Sequence, residues 1–349
     1  MKQNILLLFG GQSSEHEVSL KSVTTIYENI DNELYDIYPV GITKDGTWLL
    51  YRGADFNFTT NKWQQKGIRC ILSPDAVHKG LILLREGQEA VTIHIDKVFP
   101  VLHGKYGEDG TVQGLCKLAQ IPYVGCGVLA SAVSMDKAFT KIAVEKTNVK
   151  QAKYVVVKEI ELKDMDKVVQ KIEQTFGYPY FVKPANAGSS VGISKATNKK
   201  ELKDALLVAI KEDTKILIEE TIVGREVETA VLGNEALLVS GVGEILAAAE
   251  FYDFDAKYNN SESKTIVSAD LAEDIVAQIR QAAKEVYRAV DAKGLSRVDF
   301  FVTKDGEVVF NEINTMPGFT KISMYPMLFK EAGIELPDLI NKLIELASC

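Results

Sequence analysis

The chain has 349 residues, 46% of them hydrophobic and 25% charged, which is the composition of a globular protein of two or three domains in water. Its formal net charge is −8 with no long basic run, so neither nucleic acid nor an anionic membrane surface is indicated as a partner, and any phosphate site must be built locally. Four scattered cysteines, Cys70, Cys116, Cys126 and Cys349, form no CxxC pair, so neither a zinc site nor a disulfide framework is suggested.

The apolar run at residues 5–9 reads as a buried parallel strand ending at Gly10-Gly11. It is too short for a signal peptide or a membrane span, so a cytoplasmic location is expected. A helix is predicted from near Ser14, covering residues 17–30, then a strand at 37–42. Residues 43–95 are less regular and read as an insertion. Residues 96–102 form another strand, stopping at His103-Gly104. The alternation predicts an α/β first domain over 1–130 with a parallel sheet flanked by helices.

One helix is predicted over 131–147, carrying Met135-Asp136-Lys137. A strand at 154–157, a charged helix at 163–176, a strand at 178–182, a helix at 199–211 and a strand at 216–220 complete a smaller α+β domain over 131–222. The third domain, 223–349, has strands at 226–233 and 237–244, a long helix at 270–291, a hairpin, and a last helix at 336–347.

That hairpin carries chemistry. Residues 296–303 and 308–314 are strand-like and flank Lys304-Asp305-Gly306-Glu307. Asp-Gly between two such runs signals a two-residue turn. Lys304 then faces Glu307, Asp299 faces Glu312, and Arg297 faces Asn314, all on one side of the sheet. Like charges directly opposite one another are destabilising. A divalent cation held by oxygen ligands would offset that, with Asp299, Glu312 and Asn314 as its ligands. Arg297 beside them stays charged and can stabilise phosphoryl oxygens or an oxyanion.

Two further stretches suggest a nucleotide site. In Lys183-Pro184-Ala185-Asn186-Ala187-Gly188-Ser189-Ser190-Val191-Gly192 a lysine at a strand end precedes a Gly/Ser loop. Backbone N–H groups and hydroxyls of such a loop donate well to phosphate oxygens. It is not a Walker A loop. In Ile216-Leu217-Ile218-Glu219-Glu220-Thr221-Ile222 an apolar strand ends in two carboxylates, which can meet an adenine and a ribose.

The order of these elements resembles the ATP-grasp fold. Four more segments resemble the signatures of the D-alanine–D-alanine ligase family: Phe9 to Ser19 with Glu15, Leu102 to Gly110 with His103, Phe251 to Tyr258, and Gly318 to Pro326. The resemblance runs from residue 5 to about 345, apart from 43–95. It implies an N-terminal parallel-sheet domain and two α+β domains clamping ATP. It also implies ATP-dependent joining of two D-alanines through a D-alanyl phosphate, for peptidoglycan precursors. Two magnesium ions, with manganese as a substitute, and a homodimer are part of the same expectation.

Residue by residue, the resemblance implies that Lys137 and Lys183 bind phosphates and that Ser189 and Ser190 cover them. Glu219, Glu220, Ile222 and Glu226 fall in the nucleotide-binding stretch. Glu15 would hold the first D-alanine's ammonium, with His103 near its carboxylate. Arg297 and the backbone of Gly318 would form the oxyanion site, and Ser323 and Met324 would receive the second D-alanine. Residues 247–268 resemble a mobile lid in which Lys257 reaches the transferred phosphate and Tyr258 hydrogen-bonds toward Ser189 and Glu226.

Relatives in vancomycin resistance make D-alanine–D-lactate or D-alanine–D-serine. In the lactate-making type a histidine replaces the lid tyrosine, and here the position is Tyr258. In the serine-making type the residue after the serine is commonly arginine, and here it is Met324. D-alanine is therefore expected as second substrate, with D-serine as the alternative. A silent nucleotide-binding module predicts loss of Lys183, Arg297, Asp299 or Glu312, and all four are present. A nicotinamide-linked dehydrogenase needs G-x-G-x-x-G, which Gly10-Gly11-Gln12-Ser13-Ser14-Glu15 lacks.

Overall fold

The computed structural model describes residues 2–54, 56–188, 191–246 and 264–349, and among them three sheets organise the chain. The first is built from β1 (Gln3–Gly10), β2 (Tyr35–Ile42), β3 (Trp48–Leu50), β4 (Ile68–Leu72), β5 (Gly80–Leu83), β6 (Val91–His94) and β7 (Lys97–Val101) in the order β6-β5-β4-β3-β2-β1-β7. Its centre, β7-β1-β2, is parallel as expected. The helix α1 (His16–Asn29) makes the β1–β2 crossover, and α3 (Thr111–Leu118) follows β7.

Residues 43–95 do not stand apart from this sheet. They extend it by four antiparallel strands, so the sheet is mixed rather than parallel throughout. The β2–β3, β4–β5 and β5–β6 connections are too short for the crossover that parallel pairing needs, whereas the longer β3–β4 connection carries a short helix. Asp45-Gly46 supplies the first turn, with Gly46 at φ +88° and its N–H on the Thr43 carbonyl. The short helix α2 (Lys62–Lys66) plants Trp63 on β2, where a Cβ on Gly41 would lie 2.2 Å from the indole ring.

The second sheet is antiparallel, ordered β11-β10-β12-β9, from β9 (Tyr154–Lys158), β10 (Tyr180–Pro184), β11 (Ser194–Ala196) and β12 (Lys215–Glu220). The helices α6 (Met165–Glu173) and α7 (Lys199–Ala209) bury Val169, Ile172, Leu202 and Leu206 against Val157, Ile216 and Ile218.

The third sheet runs β15-β14-β13-β16-β17-β8 and comprises β8 (Lys150–Gln151), β13 (Gly224–Leu232), β14 (Leu238–Leu246), β15 (Lys264–Ile266), β16 (Leu295–Thr303) and β17 (Val308–Asn314). The long amphipathic helix α8 (Glu273–Ala289) packs Ile279, Ala283 and Val286 on it. The helix α10 (Leu336–Leu346) packs with α1 and with α9 (Met324–Glu331), so one continuous core joins Leu7, Phe9 and Phe99 to Leu295, Phe319, Tyr325 and Leu343.

The helix expected over 131–147 is two helices, α4 (Val128–Met135) and α5 (Lys137–Val144). Asp136 breaks it. Its backbone is extended, and its carboxylate accepts from the N–H groups of Ala138 and Phe139 as the N-cap of α5. Both helices add to the core of the third sheet through Ala130 and Val144.

Candidate active site

The hairpin delivers the expected pairs by an unexpected route. Arg297 is opposite Asn314 and Asp299 is opposite Glu312. The turn, however, spans three residues, Lys304-Asp305-Gly306, so Thr303 rather than Lys304 faces Glu307. Gly306 takes the left-handed conformation, φ +79°, that such loops require. The one-residue offset persists through Val302–Val308 and Phe300–Phe310, and a bulge at Asn311 then cancels it. Bulges beside active sites commonly re-aim a side chain, and this one turns Glu312 and Asn314 into the cavity.

A third carboxylate joins the row. Glu228 on β13 is opposite Asp299 across the other edge of β16. Glu228, Asp299 and Glu312 therefore lie side by side on three adjacent strands. Arg297 lies among them. Its Nε and Nη2 donate to the two Asp299 oxygens at 2.8 and 2.7 Å, and Nε also lies 3.2 Å from Glu228 Oε1. Burial works against its charge, but Asp299 and then Glu228 outweigh burial and push the guanidinium pKa further up. The charge that answers Asp299 within the protein is thus a guanidinium from its own strand.

The four-stranded sheet and α5 bring three charged side chains together. Glu219 Oε1 is 2.6 Å from Lys141 Nζ, and Oε2 is 2.6 Å from Lys183 Nζ. Burial alone would raise the Glu219 pKa, but the two lysines hold it down to about 2. Lys137 donates to the Ala187 carbonyl at 2.6 Å and so reaches the Gly/Ser loop. Asp136 pairs with Lys215 and accepts from Asn186, while Asn186 N–H donates to Asp213 at 2.9 Å. These bonds fix the root of the loop. Ser189 and Ser190 lie outside the described residues.

The seven-stranded sheet brings its loops over the same space. Glu15 stands at the N-cap position of α1 without a side-chain cap bond, and its Oε2 would lie 2.6 Å from a Cβ at Gly104 and 2.8 Å from one at Gly188. No side chain fits at either glycine without moving the carboxylate. His103 is buried, and both ring nitrogens are engaged: Nδ1 donates to the Met316 carbonyl at 3.0 Å, so Nε2 accepts from the Ser22 hydroxyl at 3.0 Å. Burial lowers its pKa and keeps the ring neutral near pH 7. Burial and then Glu15 push the Glu108 carboxyl well above the usual range. Gly318 lies against Ser323, whose hydroxyl would be 2.7 Å from a Cβ there and accepts from the Thr320 N–H. Met324, just inside α9, packs on Gly243 of β14.

All of this surrounds one cavity of about 530 Å³. Glu15, His103, Lys137, Lys183, Glu219, Arg297, Glu312, Asn314, Gly318, Ser323 and Met324 line it. Asp299 lies beneath, 2% exposed, behind Arg297. Glu220, Ile222 and Glu226 are half-buried and do not line it. The Glu220 carboxylate instead accepts from the Lys153 N–H at 2.8 Å. Lys257, Tyr258 and most of the expected lid also lie outside the described residues. Glu108, Lys141 and Glu228 line the cavity as well, and sequence reasoning missed all three as site residues. The available signal was a charged residue among apolar neighbours, as in Val227-Glu228-Thr229-Ala230-Val231, since a buried charge needs a partner.

Residues 4–126 match the family model for the D-ala D-ala ligase N-terminus, and residues 143–345 match that for the D-ala D-ala ligase C-terminus. The chain belongs to the D-alanine–D-alanine ligase family. Its similarity to curated members extends from end to end. The D-alanine–D-alanine ligase of Acetivibrio thermocellus is 52% identical, over 99% of this chain and 96% of the relative. That of Clostridium acetobutylicum is 48% identical, over 100% and 98%. Among solved structures, the VanG D-Ala:D-Ser ligase of Enterococcus faecalis superposes with a TM-score of 0.91 at 40% identity, covering 99% of both chains. The D-alanine–D-alanine ligase of Coxiella burnetii gives 0.86 at 33% identity, over 99% of this chain and 95% of that one. The family thus accounts for the two halves of the chain and for the whole architecture. No helix among the described residues is long and apolar enough to cross a membrane.

Proposed function

We propose that this ligase joins two D-alanines using ATP, through a D-alanyl phosphate, for peptidoglycan precursors, as a cytoplasmic homodimer. The observation that carries the reading is the full-length likeness to D-alanine–D-alanine ligases, together with one cavity into which all three sheets send charged side chains.

In this reading Lys137 and Lys183 take the ATP phosphates. Glu219, Glu226 and the backbone near Glu220 and Ile222 take the nucleoside. Lys183 is held by Glu219 within the protein, so phosphate oxygens would compete with that carboxylate for it. Asp299, Glu312 and Asn314 would hold magnesium, or manganese in its place. The donor set fits, being two carboxylates on adjacent strands and an amide. Among the described residues no three of His, Cys, Asp or Glu form a closed cage. Magnesium rarely uses one, since waters and substrate phosphates complete its shell. When bound it would neutralise the charge of the transferring phosphoryl group.

Glu15 would accept the ammonium of the first D-alanine. His103, neutral and held by Ser22 and Met316, would set the wall beside that substrate's carboxylate. Arg297 and the Gly318 N–H would donate to the oxyanion formed when the second amine attacks the acyl phosphate. Ser323 and Met324 would receive the second amino acid. Ser189, Ser190, Lys257 and Tyr258 would close over the phosphates and exclude water from the acyl phosphate. Those four roles rest on the sequence match alone.

The second reading, D-alanine–D-serine formation, is favoured by the likeness to the VanG enzyme. Met324 speaks for D-alanine, because an apolar side chain suits a methyl group. The difference is one hydroxyl, worth about 1–3 kcal/mol in such a pocket. ADP release with Mg–ATP and D-alanine, repeated with D-serine or D-lactate added and with products identified by mass, separates the readings. D-alanyl-D-alanine as sole major product is expected. A preference for D-serine would overturn the second-subsite assignment and leave the ligase reading standing.

A further inference from the structure

The two duties assigned to Asp299 conflict. Both of its oxygens accept from Arg297, at 2.8 and 2.7 Å. The reading above, on which this inference rests, also makes Asp299 a metal ligand. An oxygen that shares its electrons with a divalent cation is a poorer acceptor, so the guanidinium would lose part of its hold as the metal loads. Glu228 is placed to take it over. It lies 3.2 Å from Arg297 Nε, is 5% exposed, and stands on the far side of Asp299 from Glu312. A carboxylate buried this deeply carries a large desolvation penalty, and what answers it here is the Arg297 guanidinium on the neighbouring strand, the strand that also carries Asp299.

We infer that Glu228 is a positioning residue: it holds Arg297 aimed at the acyl centre while Asp299 turns to the metal. Its loss leaves Arg297 leaning wholly on Asp299, which weakens the metal site and misaims the guanidinium together.

The test uses the full chain and two readouts. In Glu228→Gln, kcat is expected to fall about 10- to 100-fold while KM for ATP and for D-alanine changes less than about threefold, the pattern of an interaction made in the transition state. Mn²⁺ binding, followed by the electron paramagnetic resonance signal of free Mn²⁺ with a non-hydrolysable ATP analogue present, is expected to weaken about three- to tenfold. A merely structural role would lower Tm and leave both quantities unchanged in the folded protein, and that result overturns the inference. Glu228→Asp keeps the charge and shortens its reach; it is expected to lie between wild type and Glu228→Gln, and serves if the glutamine variant fails to fold. In an Arg297→Gln background, adding Glu228→Gln is expected to change Mn²⁺ affinity no further. A further loss there would make Glu228 a metal ligand itself and overturn the inference. Asp299→Asn separates the two levels. If it leaves Mn²⁺ binding intact, the metal reading fails. If it abolishes binding while Glu228→Gln leaves kcat and Mn²⁺ affinity at wild-type values, the role of Glu228 alone fails.

Discussion

At the residue scale, charge placement governs this site. Glu312 is where the proposed metal set can be tested. Glu312→Gln keeps the shape of a half-buried side chain and removes its charge, so the fold should survive while turnover falls by about 100-fold or more, as expected when electrostatic stabilisation of a transition state is lost. Steady-state ADP release and thermal unfolding on one preparation check this; near-normal turnover would remove Glu312 from the metal set. Glu219 gives a pH signature. Its carboxyl is held at about 2 in the folded protein against an ordinary 4.5. The stability this supplies is complete above the ordinary value and disappears as pH falls toward the folded one. Lys141→Met removes one of its two cations. The folded pKa should rise, the acid-unfolding midpoint should move to higher pH, and stability at neutral pH should fall by about 3 kcal/mol because a buried charge loses a partner. Circular dichroism across an acid titration reads the shift; an unmoved midpoint would mean that Lys183 holds Glu219 alone. The facing pairs Asp299–Glu312 and Arg297–Asn314 were legible because strand alternation is a local rule and because the bulge at Asn311 cancels the residue by which a two-residue turn miscounts the tip. Glu228 was not, because its ion-pair partner Arg297 lies on a strand paired with its own only in the folded chain.

At the element scale, most helices and strands could be read from period and punctuation, and the departures have identifiable causes. Asp136 ends one helix and caps the next, a choice hidden inside an apolar stretch that reads as one helix. Asp136→Ala should lower stability by about 1–2 kcal/mol, the usual value of an N-cap, with Lys215 losing its partner as well. Urea unfolding measures this, and a change below about 0.3 kcal/mol would show that the cap is dispensable. The meander of residues 43–95 escaped because its strands are three to five residues long, below the length at which alternation is readable. In the hairpin, Gly306→Ala should cost about 1–2 kcal/mol, since a Cβ is strained at φ +79°. The turn is remote from the cavity, so kcat should be unchanged; a fall in kcat would show that strain at the tip reaches Glu312.

At the scale of the whole molecule, the seven-stranded and six-stranded sheets share one core, whereas the four-stranded sheet keeps its own. The sequence order suggests three successive domains. That a core would join the first strands to the last helices was not legible, because it depends on α10 packing beside α1 across most of the chain length. The cavity draws Lys183 and Glu219 from the four-stranded sheet and Arg297 and Glu312 from the shared body. A nucleotide held by both should restrain the smaller unit most. Hydrogen exchange read by mass spectrometry should show residues 154–220 opening more readily than β1, and an ATP analogue with Mg²⁺ should slow exchange there more than in β1. Equal slowing in both would mean that the units already open together.

The bulge at Asn311 divides the hairpin into two stretches with separate bookkeeping of residues. Seen from the paired carboxylates, the tip lies beyond both the bulge and the Phe300–Phe310 contact, with ring centroids 6.0 Å apart, so residues added at the tip can loop out while these pairs keep their register. The tip at residues 304–306 is therefore a natural insertion point for a fluorophore, an affinity tag or a sensing loop, one that can be lengthened by engineering or by drift while the carboxylates at the other end of the same two strands hold their alignment.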